Sequence, residues 1–357
     1  MNDKKEKIAS IVQPLLAWYD ENKRDLPWRG AADPYKVWVS EIMLQQTRVA
    51  AVLPYYQAWM EELPTVEALA AVEEPRLMKL WQGLGYYSRA RNLQKAAQVI
   101  VNELDGRFPD TYEDLLRLPG VGDYTAGAIA SIAFGRPVPA VDGNVLRVAA
   151  RAANMDGDIM DPRVRKTFRE VMASAMPEDR PGTFNQALMD LGATVCAPNG
   201  ASLCEHCPLA GLCEANRLGL QNELPTRKKK APRRIEEMTV FLLLQEGRTA
   251  LRKRPKQGLL AGLWEFPNVP GTLDEAAAAQ SLSVWSLTPV DWHKKIEAKH
   301  VFTHVEWHMT GYLLTVSGKA EPFTWADREA LETLAVPSAF AKYLEEARRA
   351  LEGGAKT

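Results

Sequence analysis

Two carboxylates, a glycine-paired turn and a cluster of thiols are the parts of this chain whose types and spacing suit chemistry. The turn lies in LPGVGDYTAGAIA, Leu118 to Ala130, directly after TYEDLLRL. Helix, Pro-Gly-Val-Gly, helix reads as a helix-hairpin-helix over residues 111–134. Gly120 and Gly122 carry no side chain, so backbone N–H groups on either side of Val121 can approach a phosphate closely. The positive end of the second helix acts on the same anion. Such contacts hold a nucleic-acid backbone without reading its sequence. PGVG alone would serve equally as a tight turn between core helices; the longer LPGVGxYTA pattern points to DNA.

PAVDGNVLRV follows, with Asp142 and Asn144 at the start of another helical run. Asp at such a position is ordinarily an N-cap. A short distance beyond the hairpin, it could also face the sugar of a nucleotide whose phosphate the hairpin holds. A carboxylate there would stabilise a sugar cation as a base departs, electrostatically or through a covalent intermediate. WVSEIMLQQTRV sets Glu41 beside the apolar stripe of its helix, next to Trp38 and Ile42. Solvated, it would be a rim residue; buried, its pKa would rise to that of a general acid at neutral pH. Purine loss needs such an acid, because the base leaves best after protonation on a ring nitrogen.

The four cysteines, Cys196, Cys204, Cys207 and Cys213, fall in one short stretch. Thiols crowded in this way point to metal rather than to disulfides. Zinc with four thiolates and a [4Fe–4S] cluster both suit the spacing. His206, between two of them, reads as a loop residue.

The elements that must position these groups fall into two regions. A length of 357 residues suits two or three domains. Apolar (46%) and charged (25%) fractions are those of an ordinary soluble protein. The net charge of −1 gives no global argument for nucleic acid. RKKKAPRR, Arg227 to Arg234, is the one dense run of cations and reads as a solvated linker. The start, MNDKKEKIAS, lacks the apolar stretch of a secretory signal. Apolar runs such as AGAIASIAF fall short of the roughly 20 residues that span a bilayer. The expected compartment is the cytoplasm, with no membrane partner.

Apolar positions up to about residue 215 recur at helical spacing and predict an all-α region. Asp33-Pro34 opens one helix, expected to carry Tyr35, Trp38, Ile42 and Val49 on one face. Beyond the linker, MTVFLLLQ, EGRT and ALRKRP predict strand, turn and strand; KHVFTHVEWHMTGYLLTV predicts two more strands. PSAFAKYLEEARRALEG predicts a closing helix. The expected division is an all-α domain over 1–224, a basic linker over 225–234 and a small α+β domain over 235–357.

LPWR at Leu26 to Arg29, SEIMLQQTRV, QGLGYYSRARNL, LPGVGDYTA and VDGNVLRV occur in that order over the first 224 residues. In these motifs the chain resembles the MutY family of adenine DNA glycosylases, within the endonuclease III superfamily. The resemblance implies Glu41 as the acid that protonates adenine N7 and Asp142 as the group that stabilises the oxocarbenium ion. Tyr124 and Asn144 would be hydrogen-bonding supports. The implied partner is duplex DNA containing A·8-oxoguanine or A·G mispairs, bound by a monomer, in the nucleoid if the source is bacterial. Gln46 and Tyr86 would fill the space a flipped adenine leaves, with Thr47 and Leu84 near the 8-oxoguanine. A [4Fe–4S] cluster would sit on the four cysteines, although this chain has seven residues (APNGASL) between the first two where the family usually has six.

Lyase-competent relatives carry lysine at the position of Tyr124, where its amine forms a Schiff base with the sugar. Tyrosine implies hydrolytic base removal with at most weak strand cleavage, against a bifunctional enzyme for oxidised pyrimidines. Asp123 departs from the expected pattern, since a carboxylate beside a phosphate-binding turn should repel. In the second domain QGLLAGLWEFP resembles the Nudix-like domain that MutY proteins use to check the opposite base. Hydrolytic Nudix enzymes need a helix packed with glutamates; GTLDEAAAAQSLSVW has no such array, which implies recognition without hydrolase activity and excludes a nucleotide pyrophosphohydrolase. VFTHVEW holds Phe302, Thr303 and His304 where the family has Phe-Ser-His, a residue set otherwise readable as a β-turn with core aromatics. A non-enzymatic, zinc-braced module that binds damaged DNA is the remaining alternative from residues alone.

Overall fold

The computed structural model describes residues 1–30, 32–228, 232–320 and 322–353. Lys229, Lys230 and Ala231 of the expected basic linker lie outside the described residues. The chain divides into two compact units: Met1–Ala71 with Arg91–Lys229, and Val72–Ala90 with Lys230–Thr357. The span 1–224 thus contains a segment, Val72–Ala90, that clusters with the second unit.

The helices of the first part of the chain are α1 (Asn2–Asn22), α2 (Pro34–Leu44), α3 (Val49–Glu62), α4 (Val66–Ala71), α5 (Glu74–Leu80), α6 (Ser88–Glu103), α7 (Tyr112–Leu115), α8 (Asp123–Ile132), α9 (Gly143–Ala152), α10 (Pro162–Ala173), α11 (Pro181–Thr194) and α12 (Glu214–Leu218). Asp33 caps α2 by accepting from the Tyr35 and Lys36 amides, with Pro34 in the first turn. The helix stops at Leu44, so Val49 opens α3 instead of extending the apolar face of α2. Gln46 has φ +60°, a left-handed backbone that no α-helix can continue through. Apolar stripes of α1, α9, α10 and α11 meet in one core through Ile8, Leu15, Val148, Phe168, Phe184 and Leu188.

Two features of this core fix the approach to the site. Asn185 of α11 is fully buried, accepts from the Ala140 amide (3.0 Å) and donates to Ser131 Oγ (2.8 Å) and the Val138 carbonyl (2.9 Å). It ties α8 and α11 to the extended segment that leads into Asp142. Gly127 of α8 meets the same segment, and a Cβ there would lie 2.4 Å from the Pro139 carbonyl oxygen.

The second unit is built on a sheet of β1 (Arg234–Gln245), β2 (Arg248–Lys253), β3 (Trp264–Glu265), β4 (Asn268–Pro270), β5 (Leu287–Val301), β6 (Val305–Gly318) and β7 (Thr324–Ala326). The order is β3-β2-β1-β6-β5, with β4 paired to β1 and β7 to β2; β1 and β6 are parallel and the other pairs antiparallel. β1 is central and buried on both faces, hence its unbroken run from Met238 to Leu243. Met238, Val240 and Leu242 face one core with Phe340, Tyr343 and Leu344 of the C-terminal segment, and Phe241 and Leu243 face another with Ala278 and Leu282. β5 starts at Leu287, well before the strand predicted from Lys299, and pairs with β6 along its length.

Gly127→Ala is expected to destabilise the protein by about 1–3 kcal/mol, because the methyl group meets backbone that cannot swing aside. Urea unfolding of the two proteins measures the difference.

Candidate active site

Glu41 on α2, Tyr124 in the first turn of α8, and Asp142 and Asn144 at the start of α9 line one cavity of about 860 Å³. Arg29, Gln46, Thr47, Gln186 and Met189 complete much of its wall. Glu41 is buried, with 6% exposure, and its Oε2 accepts a hydrogen bond from Tyr124 Oη. Burial pushes the Glu41 carboxyl up to about 7, and the nearby charge of Asp142 pushes the same way; the Tyr124 hydrogen bond and Arg29 oppose them. Tyr124 is held well above its ordinary pKa, first by burial and then by the Glu41 and Asp142 charges, so it remains a donor.

Asp142 does cap α9, as its position before a helical run implied. Its Oδ1 accepts from the Val145 amide (2.7 Å) and its Oδ2 from Asn144 Nδ2 (2.8 Å). Burial raises its pKa while these bonds oppose the rise. The helix cap and the cavity-lining carboxylate are therefore one group, with one oxygen anchored by backbone and the other by Asn144. Asn144 is itself held: its Oδ1 accepts from Arg147 Nη2 (2.9 Å), and that guanidinium also donates to the carbonyls of Gly192 (2.6 Å) and Cys196 (2.7 Å). Gly192 packs directly on Asn144; a Cβ there would lie 2.6 Å from Asn144 Cβ.

Two residues behind the cavity wall escaped the sequence reading. Asp190 is almost fully buried and receives both Arg29 (2.6 and 2.7 Å) and Arg24 (2.9 Å). The two guanidinium groups hold its carboxyl below the ordinary range despite burial. With Arg29 committed to Asp190, its pull on Glu41 is the weakest of the four influences there. The available signal was an aspartate inside the apolar run ALMDLGAT, which a buried helix tolerates only if the charge is paired. Arg147 is signalled only by standing one helical turn after Asn144.

The hairpin has the expected form. Gly120 has φ +75°, Val121 is buried and Gly122 caps α8, whose first N–H groups have no acceptor within the helix. Asp123, the first residue of α8, is paired with Arg169 and Tyr112.

Leu84, Tyr86, Phe302, Thr303 and His304 all belong to the second unit. Tyr86 is exposed, has φ +47°, and shares a hydrogen bond between its Oη and Thr303 Oγ1. Leu84 is buried, its carbonyl accepting from Arg89 (2.9 Å). Phe302, Thr303 and His304 form the turn between β5 and β6, closed by the Phe302 amide on the Val305 carbonyl (2.8 Å). The Phe302 ring packs edge-on against His300 and Trp307, while Thr303 and His304 face out. The turn reading thus holds for this loop, with Phe302 packed inward and Thr303 and His304 exposed.

The four cysteines are half-buried and line one pocket. Arg151 reaches into this loop, donating to Cys196 Sγ (3.3 Å), the Ala197 carbonyl (3.0 Å) and Ser202 Oγ (2.8 Å). Burial pushes the Cys207 thiol up to about 11 and raises that of Cys213. Among the described residues no three His, Cys, Asp or Glu side chains form a set that could hold a metal ion. Four soft donors around one pocket, with a guanidinium beside them to offset thiolate charge, nevertheless fit a thiolate-held group in chemical type.

Comparison with known proteins adds an independent line. The HhH-GPD superfamily of base excision DNA repair proteins matches residues 39–174, and the NUDIX domain matches residues 239–346. The adenine DNA glycosylase of Rattus norvegicus is 38% identical over 98% of this chain and 80% of its own length. That of Homo sapiens is 38% identical over 94% of this chain and 73% of its own. Among solved structures, a thermostable thymine-DNA glycosylase aligns with a TM-score of 0.53 at 29% identity, over 60% of this chain and 98% of its own.

The Glu41 shift has a signed consequence for stability. Between the ordinary 4.5 and about 7 only the folded state holds the proton, so the contribution is full below that window and lost as pH rises through it. Glu41→Gln cannot ionise. It is expected to be more stable than the wild type at about pH 8, by on the order of 1–3 kcal/mol, with the gap closing towards about pH 5. Thermal unfolding at the two pH values checks this; a constant gap would contradict it.

Proposed function

The chain belongs to the adenine DNA glycosylase family, and from that premise we propose that it removes adenine mispaired with 8-oxoguanine or guanine by flipping the base and hydrolysing its glycosidic bond. It is a DNA N-glycosylase of base excision repair. The observation that carries the finer reading is a buried glutamate tuned to about 7, in one cavity with an N-capping aspartate.

In the proposed reaction the N–H groups of the hairpin hold a backbone phosphate, and adenine leaves the stack at a cost of a few kcal/mol, less at a mispair. Glu41 gives its proton to N7 of the base. The bond from the sugar to N9 then breaks, its electron pair going to the protonated adenine. Asp142, oriented by Val145 N–H and Asn144, faces the sugar cation until water adds to C1′ and passes its proton to the Glu41 carboxylate, which restores the acid. Tyr124 donates to Glu41 and has no amine with which to attack the sugar, which favours base release without strand cleavage. Gln46, with its left-handed backbone at the cavity wall, supports a role as a filler of the vacated stack.

We assign Tyr86, Thr303 and their shared hydrogen bond to the side that meets 8-oxoguanine, with the second unit a reader lacking hydrolase chemistry. Its helix Glu275–Leu282 has one glutamate, Glu275, whereas a hydrolytic site needs several. Cys196, Cys204, Cys207 and Cys213 would hold a [4Fe–4S] cluster. That group would brace the 196–213 loop when bound. Iron and acid-labile sulfide in stoichiometric amounts, with visible absorbance reduced in Cys204→Ser, are the expected results; zinc instead would overturn the cluster.

Single-turnover base release from duplexes with A·8-oxoguanine, A·G, A·T or an oxidised pyrimidine tests the substrate. Adenine release from the first two, with strand breaks only after alkali, is expected. The rate should fall above about pH 7 as Glu41 loses its proton, and fall in acid as Asp142 gains one. Asp142→Asn should slow release by more than about 100-fold while keeping DNA affinity; undiminished turnover would remove Asp142 from the mechanism.

A further inference from the structure

Asp123 is a resident anion at the phosphate-binding end of α8. It is the first residue of that helix, directly after Gly122, so its carboxylate already satisfies part of the positive helix end. A phosphate docking on the same N–H groups must approach this charge. The carboxylate is not alone. Its Oδ1 accepts from Arg169 Nη1 and from Tyr112 Oη, and Arg169 Nη1 also donates to Tyr112 Oη (2.6 Å). Arg169 comes from α10 and Tyr112 from α7, so three separate elements converge on one exposed carboxylate. The side chains of Asp123 and Arg169 are 64% and 34% exposed, within reach of a ligand at the hairpin.

We propose that Arg169 is a phosphate-binding residue of the DNA interface, and that Asp123 restrains it in the free protein by acting as an internal substitute for phosphate. DNA that docks on the hairpin competes with Asp123 for the guanidinium. The exchange converts a near-neutral pair into one cation facing the backbone and one carboxylate turned to solvent. It would weaken binding to undamaged duplex, where only backbone contacts contribute, and so limit non-specific retention. Tyr112 keeps the guanidinium at the mouth of the hairpin after the carboxylate lets go. This inference rests on the reading that the hairpin holds a DNA backbone.

The test is binding of an undamaged A·T duplex over a range of salt concentrations by the wild type, Asp123→Asn, Arg169→Gln and the double variant. Asp123→Asn should bind roughly three- to tenfold more tightly at low salt, with a steeper salt dependence. Arg169→Gln should weaken binding in both backgrounds, and more strongly in the Asp123→Asn background, where the arginine is free. Unchanged or weaker binding by Asp123→Asn would overturn the proposal, as would an Arg169→Gln substitution without effect once Asp123 is gone. Removing the Asp123 charge eases phosphate approach in any case, so the deciding comparison is Arg169→Gln in the Asp123→Asn background, where a pair that merely braces the fold predicts no added loss of binding. Failure of the wild type to bind duplex at all would overturn the DNA reading together with this one, whereas the other failures leave that reading intact.

Discussion

The contact on which the cavity depends is the backbone-to-backbone approach of α11 and α9, possible because Gly192 has no side chain where Asn144 crosses it. At that spacing the Gly192 carbonyl takes a hydrogen bond from Arg147, Arg147 holds Asn144, and Asn144 holds the free oxygen of Asp142. The same helix carries Asn185, which ties down the segment entering Asp142, and Asp190, which engages Arg29. One helix thus positions the aspartate from both sides and occupies the nearest cation. A shift of α11 by the width of a methyl group would be felt by all three.

The two carboxyl groups are both disfavoured in their charged forms by burial, but they are relieved differently. Asp142 receives an amide N–H and an amide side chain, donors that favour the ionised state. Glu41 takes a hydrogen bond from Tyr124 and has the Asp142 charge nearby, and Arg29, the cation that acts on it, is already engaged by Asp190. Two side chains of the same chemistry thus sit in different electrostatic settings because their hydrogen-bond partners differ. Part of the folding free energy is spent on this difference, since an uncharged residue at position 41 would be easier to bury at alkaline pH.

Local signals in the sequence carried most of the helical layout. Asp33-Pro34, the Pro-Gly-Val-Gly turn and Asp142 before its helix each have a short-range cause, and each forms as read. The end of α2 was not visible, because nothing in MLQQTRV announces a left-handed residue; glutamine at φ +60° is strained and is held by its surroundings. Glu41 could be read as rim or acid until its burial was known, which is a tertiary property. The distant partners of Asp190, Arg147 and Gly192 were hidden for the same reason, since each lies more than forty residues away in sequence. The pattern of β1 was read as a strand, but its length and its place at the centre of the sheet depend on β6, far along the chain.

The division of the chain has a consequence for anyone who cuts it. The linker invites a cut after residue 224, yet Val72–Ala90 clusters with what lies beyond. In that segment Lys79 and Gln82 donate to the carbonyls of Leu334 and Val336, and Tyr86 bonds to Thr303. A fragment ending at the linker keeps Glu41, Asp142 and the hairpin but loses every one of those hydrogen-bond partners. Its loop would be free to wander where the intact chain holds Tyr86. An isolated helical fragment is therefore a different reagent from the parent: able to display Glu41, Asp142 and the hairpin, but with the tether of its exposed tyrosine severed.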